Sequence, residues 1–179
     1  QSPSQKFARL MLPATIAGNF ELEVEFVRTK GNDAVAIIFP VGKSQLAMSL
    51  GWSKGGKNSI EFIDGETLFS ETTGQVTTKK RHQLSVRVEV AQDTATVNTS
   101  LDGQALISWS GPVSKLKTHD GWKLKQLDSI GLGAQGASVT FHQVRVKMLS
   151  GQLSFIPRES RIASAPIPWD SGQQGTHVV

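Results

Sequence analysis

The sequence FELEVEFVR, residues 20–28, alternates strictly between apolar and acidic side chains. The apolar set is Phe20, Leu22, Val24 and Phe26, and the acidic set is Glu21, Glu23 and Glu25. Successive side chains of a β-strand point to opposite faces of the sheet. The alternation therefore predicts a strand that buries one face and exposes the other to solvent.

The same two-residue period recurs further along the chain. Leu46, Met48, Leu50 and Trp52 alternate with Gln45, Ala47, Ser49 and Gly51. Residues 34–39, AVAIIF, are apolar at every position, as in a central strand that is covered on both faces. Further alternating segments span residues 84–90, 95–101 and 130–134.

The connections carry hairpin and bulge signals. Asp64-Gly65 and Asp102-Gly103 are typical of two-residue hairpin turns, because such turns need residues that tolerate a positive φ. The apolar positions of the last strong segment change parity between Phe141 and Val144. Since a slip of one residue exchanges the two faces of a strand, a β-bulge is predicted near His142-Gln143.

About ten strands and no convincing helix predict an all-β chain folded as an antiparallel sandwich or barrel. The alternation stops at about residue 155, where Pro157, Pro166 and Pro168 are surrounded by Ser, Gly and Gln. We therefore predict a β-sandwich domain over residues 1–154 and an extended arm or linker over residues 155–179.

Composition excludes several classes of function. The 179 residues include no cysteine, which excludes disulfides, thiolate metal sites and a cysteine nucleophile. A net charge of +4 is too small for a nucleic-acid-binding stripe, so no nucleic-acid partner is predicted. No apolar run reaches the roughly 18 residues of a membrane span. Because the chain begins with Gln1, we expect a processed mature protein or a piece of a longer one.

Five segments together carry a family resemblance: FELEVEF at 20–26, the apolar strand at 34–39, LSVRVEV at 84–90, LDGQALISWSG at 101–111 and SIGLGAQGASVTFHQVRVKML at 129–149. Their order resembles the concanavalin A-like lectin/glucanase superfamily, over residues 7–150. Within it, the chain is most similar to laminin-G-like and 3-keto-disaccharide-hydrolase-like domains of exported modular bacterial proteins, notably those of planctomycetes. The resemblance implies a two-sheet antiparallel jelly-roll sandwich of concanavalin A type.

Glu21, Glu23 and Glu25 are the candidates for acid–base catalysis. Retaining glycosidases need two carboxyl groups roughly 5–5.5 Å apart, and alternate Cα atoms of a strand lie about 6.6 Å apart on one face. Hydrolases of the superfamily carry a similar E-x-D-x-E strand, so the resemblance implies catalytic roles for Glu21 and Glu25. Glu23 stands where those enzymes have Asp. A solvated strand face has the same pattern, so both interpretations stay open.

No spacing typical of a metal or nucleotide site occurs, so no cofactor is predicted. In His119-Asp120 the carboxylate could orient the imidazole for proton transfer. Calcium stays open as a ligand, because sandwich loops often gather Asp side chains and carbonyl oxygens. The predicted loop acids are Asp33, Asp93, Asp102 and Asp120.

The tryptophans are the best candidates for binding, because indole stacks on the C–H faces of sugar rings. Trp122 follows His119 and Asp120 in a long polar loop, and Trp52 ends a predicted strand. We therefore predict a carbohydrate site made of Trp122, His119, Asp120 and Trp52. The alternative is that Trp122 is buried and anchors its loop.

The lack of a compact acid, base and nucleophile set favours a non-catalytic module over an enzyme. The predicted module binds carbohydrate or a neighbouring protein and lies outside a bacterial cell, secreted or in the cell envelope. A glycoside hydrolase using Glu21 and Glu25 is the alternative from another class. A further alternative is a structural subunit that self-assembles as a homo-oligomer, with residues 155–179 added to a neighbour's sheet edge.

Overall fold

The computed structural model describes residues 7–54, 56–70 and 75–157, which form twelve strands and one 3₁₀ turn, Val113–Lys115. The strands are β1 Ala8–Ala17, β2 Phe20–Gly31, β3 Val35–Val41, β4 Ser44–Trp52, β5 Lys57–Ile63, β6 Glu66–Phe69, β7 Arg81–Ala91, β8 Thr94–Leu101, β9 Gln104–Pro112, β10 Ser129–Ala134, β11 Ala137–Met148 and β12 Gln152–Phe155. Within these ranges, no helix is long and apolar enough to cross a membrane.

The strands form two antiparallel sheets that pack face to face. The seven-stranded sheet has the order β12-β1-β10-β3-β4-β5-β6, and the five-stranded sheet has the order β11-β2-β7-β8-β9. The predicted all-β, two-sheet antiparallel jelly-roll sandwich is thus confirmed. β12 pairs with β1 and continues the sandwich to Phe155, whereas the part of the predicted arm after Pro157 lies outside the described residues.

The core lies between the sheets and is built from the apolar half of each alternating segment. Phe20, Leu22, Val24 and Phe26 of β2 are at most 1% exposed. They pack in one cluster with the inward-facing residues of β3, such as Ile37. Burial of a side chain of this size contributes about 1.5–3 kcal/mol, so the two-residue period itself selects which face of each sheet is buried.

The predicted turns and one predicted bulge are present. Asp64-Gly65 and Asp102-Gly103 have positive φ angles at both residues, between 52° and 86°. In the ladder of β11 and β2, Phe141 pairs with Phe26 and Gln143 with Glu25. His142 is therefore the extra residue, and the bulge predicted from the change of parity is confirmed.

β4 contains a second bulge, which the alternation does not predict. In its ladder with β5, the pair Ser49–Ser59 is followed by Trp52–Lys57, so two residues of β4 oppose one of β5. Gly51 lies in this bulge with φ 64°. Leu50 therefore faces the core, whereas Trp52 packs on the outer face of the sheet. The alternation of Leu46, Met48, Leu50 and Trp52 is therefore interrupted at Gly51, because the extra residue reverses the direction of Trp52.

The loop of residues 116–128 covers the outer face of the seven-stranded sheet. Trp122 and Leu124 of this loop pack on Ala36 and Ile38 of β3, and β3 is consequently buried on both faces. A Cβ at Gly133 of β10 would lie 2.7 Å from the Trp122 ring. Glycine at that position therefore leaves the space that the indole occupies.

Gln45 of β4 fastens this loop to the sheet. Its Nε2 donates to the carbonyl oxygens of Gln126 and Leu127, at 3.3 and 3.4 Å. Its Oε1 accepts a hydrogen bond of 2.9 Å from the backbone N–H of Leu124. The Thr118 hydroxyl donates to the backbone carbonyl of the same glutamine. One residue thus satisfies polar groups along most of the loop, as burial requires.

Candidate functional site

An open depression of about 440 Å³ lies where Trp52 emerges on the outer side of the seven-stranded sheet. We call it the Trp52 depression. Aromatic rings, carboxylates, an imidazole, an amide and hydroxyl groups converge there, which is the usual character of a ligand site. Its lining residues are Phe7, Asp33, Trp52, Ser53, Glu61, Phe62, Thr67, His119 and Gln135.

The Trp52 side chain is held in place by contacts at its edge and on its ring. Its Nε1 donates a hydrogen bond of 3.0 Å to the Ser59 hydroxyl. Its ring stacks on Phe69, with 5.8 Å between centroids, and the Lys57 ammonium lies 5.4 Å from the indole centroid. The indole N–H is thus already engaged, and Trp52 contributes to the lining of the depression beside these contacts.

A third bulge, in β5, places three further lining residues. Ile60 pairs with Leu68 and Ile63 with Glu66, so Glu61 and Phe62 together oppose Thr67. Phe62 has a φ of 64°, a left-handed conformation that costs a bulky residue on the order of 1–3 kcal/mol. The bulge thus turns neighbouring side chains of one strand toward the depression.

The Glu61 carboxylate is fixed from the sheet side. Its Oε1 accepts a hydrogen bond of 2.8 Å from the Ser49 hydroxyl on β4. A carboxylate has roughly four acceptor sites, so this bond orients Glu61 and leaves acceptor capacity for hydroxyl groups of a ligand.

The His119 imidazole lies between two phenyl rings, 5.0 Å from the centroid of Phe7 and 5.5 Å from that of Phe62. Its Nδ1 accepts a hydrogen bond of 3.0 Å from the backbone N–H of Gly121. In the neutral imidazole the proton is therefore on Nε2, which makes His119 a hydrogen-bond donor. The Gly121 backbone, not the predicted Asp120 carboxylate, holds the imidazole at Nδ1. Asp120 is exposed and does not line the depression.

Arg28 of β2 supports the depression from beneath. It is 3% exposed and donates hydrogen bonds of 3.0 Å to the carbonyl oxygens of Asp33 and Gly51. It also donates to the Val76 carbonyl and the Thr78 hydroxyl. Burial lowers the pKa of Arg28, and the negative charge of Asp33 opposes that shift. The Arg28 guanidinium thus links the turn between β2 and β3, which contains Asp33, to the β4 bulge at Gly51, which directs Trp52 outward.

Trp122 is 1% exposed and presents no ring surface to solvent. It anchors its loop, which was the alternative interpretation of the sequence. Its ring meets Phe7 edge-on at 4.6 Å, so it supports the lining of the depression from below. Of the four predicted site residues, the structure therefore brings Trp52 and His119 into one depression.

Several lining residues were not predicted as site residues. Asp33 was noted as a loop acid, but nothing local connects it with Glu61 and Gln135, which lie far apart along the chain. The one signal for Glu61 is its alternation with Ile60, which predicts an outward direction.

Glu21, Glu23 and Glu25 lie on the outer face of the five-stranded sheet and pair with bases of β7 and β11. Glu21 contacts Arg87 at 2.8 Å and Lys147 at 3.1 Å, Glu23 contacts Arg145 at 3.6 Å, and Glu25 contacts Arg81 at 3.2 Å. The hydrogen bond from Lys147 lowers the pKa of Glu21. The cross-strand ion pairs of all three acids are what a solvated strand face presents.

In the part of the chain that the structure describes, no group of three or more His, Asp or Glu residues is arranged to hold a metal ion. Asp102, one of the predicted loop acids, binds His82 Nδ1 at 2.8 Å and the backbone N–H of Gln83 at 2.9 Å. Calcium binding stays a prediction from the sequence.

No protein-family model and no curated protein sequence matches the chain. Solved structures with a similar arrangement include galectins and an agglutinin. A galectin of Caenorhabditis elegans shares 11% identity over 82% of this chain and 91% of its own, with a TM-score of 0.46. Sheep galectin-11 shares 9% identity over 82% of this chain and 100% of its own, with a TM-score of 0.46. A homodimeric agglutinin from chicken liver shares 9% identity over 78% of this chain and 100% of its own, with a TM-score of 0.49. At these values the likeness carries no information about ligands.

Proposed function

We propose that the chain is a non-catalytic module, extracellular or in the cell envelope, that binds carbohydrate in the Trp52 depression. The observation that carries the proposal is the meeting of an indole surface with carboxylate, imidazole, amide and hydroxyl groups in one open depression. A sugar ring has apolar C–H faces and a rim of hydroxyl groups, so it matches both kinds of surface.

Each lining group has a distinct role in such binding. The Trp52 ring stacks on one face of the sugar. Glu61 and Asp33 accept hydrogen bonds from hydroxyl groups, and such bonds to charged groups contribute about 1.5–3 kcal/mol each. His119 donates from Nε2 to a hydroxyl or ring oxygen. Because the β5 bulge and the Gly121 backbone already orient these groups, little ordering is needed on binding.

We further propose that the chain is related to the laminin-G-like domains of exported bacterial proteins. Binding of a neighbouring protein and assembly through residues 155–179 stay predictions from the sequence. Glu21 and Glu23 line two open depressions of about 450 and 410 Å³ on the five-stranded sheet, where both carboxylates are ion-paired. The hydrolase alternative stays a prediction from the sequence.

The direct test is a glycan array probed with wild type, Trp52→Ala and Phe155→Ala. Phe155 is the matched control, because it is an exposed aromatic residue of the same sheet that does not line the depression. It is 76% exposed and lies on β12, the edge strand farthest from β6. We expect wild type and Phe155→Ala to bind the same glycans. Trp52→Ala should bind them about 30-fold more weakly, as expected for loss of a central tryptophan anchor.

Folding of each variant is checked by circular dichroism. If well-folded wild-type protein binds no glycan on the array, the carbohydrate proposal is wrong. If glycans bind but Trp52→Ala binds as tightly as wild type, the site lies elsewhere on the molecule.

A further inference from the structure

We infer that the Trp52 depression selects neutral saccharides and rejects glycans that carry sulfate, sialic acid or uronic acid at the bound position. This inference rests on the proposed function and adds the chemical class of the ligand. It follows from the charges around the depression rather than from its shape.

The charged groups that line the depression include two carboxylates, Asp33 and Glu61. Glu61 accepts its hydrogen bond from a neutral hydroxyl donor, Ser49, and not from a base. A carboxylate repels a second anion close to it, and it does so more strongly near a protein surface than in bulk water. A bound sulfate or sugar carboxylate would meet this repulsion from both acids.

Arg28 and Lys57 lie near these carboxylates, but neither lines the depression, and the charge of Arg28 attracts that of Asp33 from beneath it. Arg28 is 3% exposed and directs its N–H groups to Asp33 O, Gly51 O, Val76 O and Thr78 Oγ1. Lys57 lies over the rings of Trp52 and Phe69, 5.4 and 5.1 Å from their centroids, and does not line the depression. His119 is a neutral donor when its Nδ1 accepts the Gly121 N–H.

Hydroxyl groups of a neutral sugar have the opposite relation to this lining. Each can donate to a carboxylate oxygen of Asp33 or Glu61 and accept from His119 Nε2 or the Gln135 amide. Hydrogen bonds in which the acceptor is ionised are about twice as strong as neutral ones. The same two carboxylates thus favour a hydroxylated rim and oppose an anionic one.

The experiment compares neutral oligosaccharides on a glycan array with their sulfated, sialylated and uronic-acid counterparts. The best neutral hit and its sulfated counterpart are then titrated by calorimetry. We expect the sulfated ligand to bind wild type at least about tenfold more weakly, in line with two repulsive contacts. Glu61→Gln and Asp33→Asn should each lower the ratio of the dissociation constant of the sulfated ligand to that of the neutral ligand. Glu89→Gln, on the five-stranded sheet, should leave this ratio unchanged.

The outcomes separate the two proposals. If acidic glycans bind wild type as tightly as neutral ones, or if Glu61→Gln leaves the ratio unchanged, the charge selection is wrong while carbohydrate binding stands. If no glycan of either kind binds, the proposed function fails and this inference fails with it. Raising the salt concentration should narrow the ratio in wild type, because salt screens exposed charges.

Discussion

The two outer faces of the sandwich are built in different ways, although both belong to antiparallel sheets. The five-stranded sheet exposes charged side chains in cross-strand ion pairs, such as Glu21 with Arg87 and Lys147, and it needs no cover. The seven-stranded sheet has apolar outer residues on β3 and β4, and the loop of residues 116–128 covers them. The Trp52 depression lies beside that cover and is lined by aromatic rings, whereas the depressions on the five-stranded sheet are lined by its ion-paired acids and bases. The difference teaches that the covered face supplies aromatic ring surface and the open face supplies charge.

The largest expected effect comes from removing the anchor of the cover. Trp122→Ala should lower the free energy of unfolding by about 3–5 kcal/mol, because the indole is 1% exposed and its loss leaves a cavity. Urea unfolding measures this change. Trp109→Ala on β9 of the other sheet is the control, and it should cost less because Trp109 is only partly buried. An equal or larger loss at Trp109 would contradict the proposed difference between the faces.

A smaller loss of free energy of unfolding is expected when a side chain is added at Gly133, under the Trp122 ring. Gly133→Ala should cost about 1–3 kcal/mol, since its Cβ would lie 2.7 Å from the Trp122 ring and 3.1 Å from the Ala8 carbonyl oxygen. Gly56→Ala serves as control, because the nearest atom to its Cβ would be 3.9 Å away. Thermal unfolding of both variants tests the pair. If Gly133→Ala were as stable as Gly56→Ala, the loop of residues 116–128 would move away from the added methyl group without loss of stability, which would contradict the prediction.

The smallest effect on stability is expected for a substitution on the outer face of the five-stranded sheet, and this effect depends on pH. The hydrogen bond from Lys147 lowers the pKa of Glu21 in the folded protein. The resulting stabilisation is present above the unfolded pKa of about 4.3 and is lost as the pH falls through the lower folded value. Glu21→Gln should therefore be slightly less stable than wild type at pH 7, with the difference reduced at pH 3. Urea unfolding at both pH values measures it, and an undiminished difference at pH 3 would exclude ion pairing as its cause.

The sequence predicts the bulge in β11 and misses the bulge in β4 for a physical reason. Near His142 the apolar residues on either side have opposite parity, so the extra residue is visible as a change of phase. At Gly51 the flanking residues Leu50 and Trp52 are both apolar, and their spacing imitates an unbroken strand. Hydrophobicity alone does not separate an indole in the core from an indole on the outer face.

The depression itself depends on contacts between residues far apart in the sequence. His119 was predicted as a site residue because it lies in a polar loop, yet its neighbours in space are Phe7 and Phe62. Asp33 and Gln135 come together because Gln135 bonds through its backbone N–H to the Ala34 carbonyl at 3.0 Å. Such pairings follow from the register of β3 and β10, which no local pattern determines.

The bulge at Gly51 has a consequence for how this surface can change in evolution. It confines the effect of one extra residue to Leu50 and Gly51, because Trp52 pairs with Lys57 and points outward, as it would in a regular ladder without Gly51. Deletion of that codon would therefore keep the outward indole and remove the Gly51 carbonyl, to which Arg28 donates. Closely related sandwiches can thus differ in length at this position and still share the same aromatic surface.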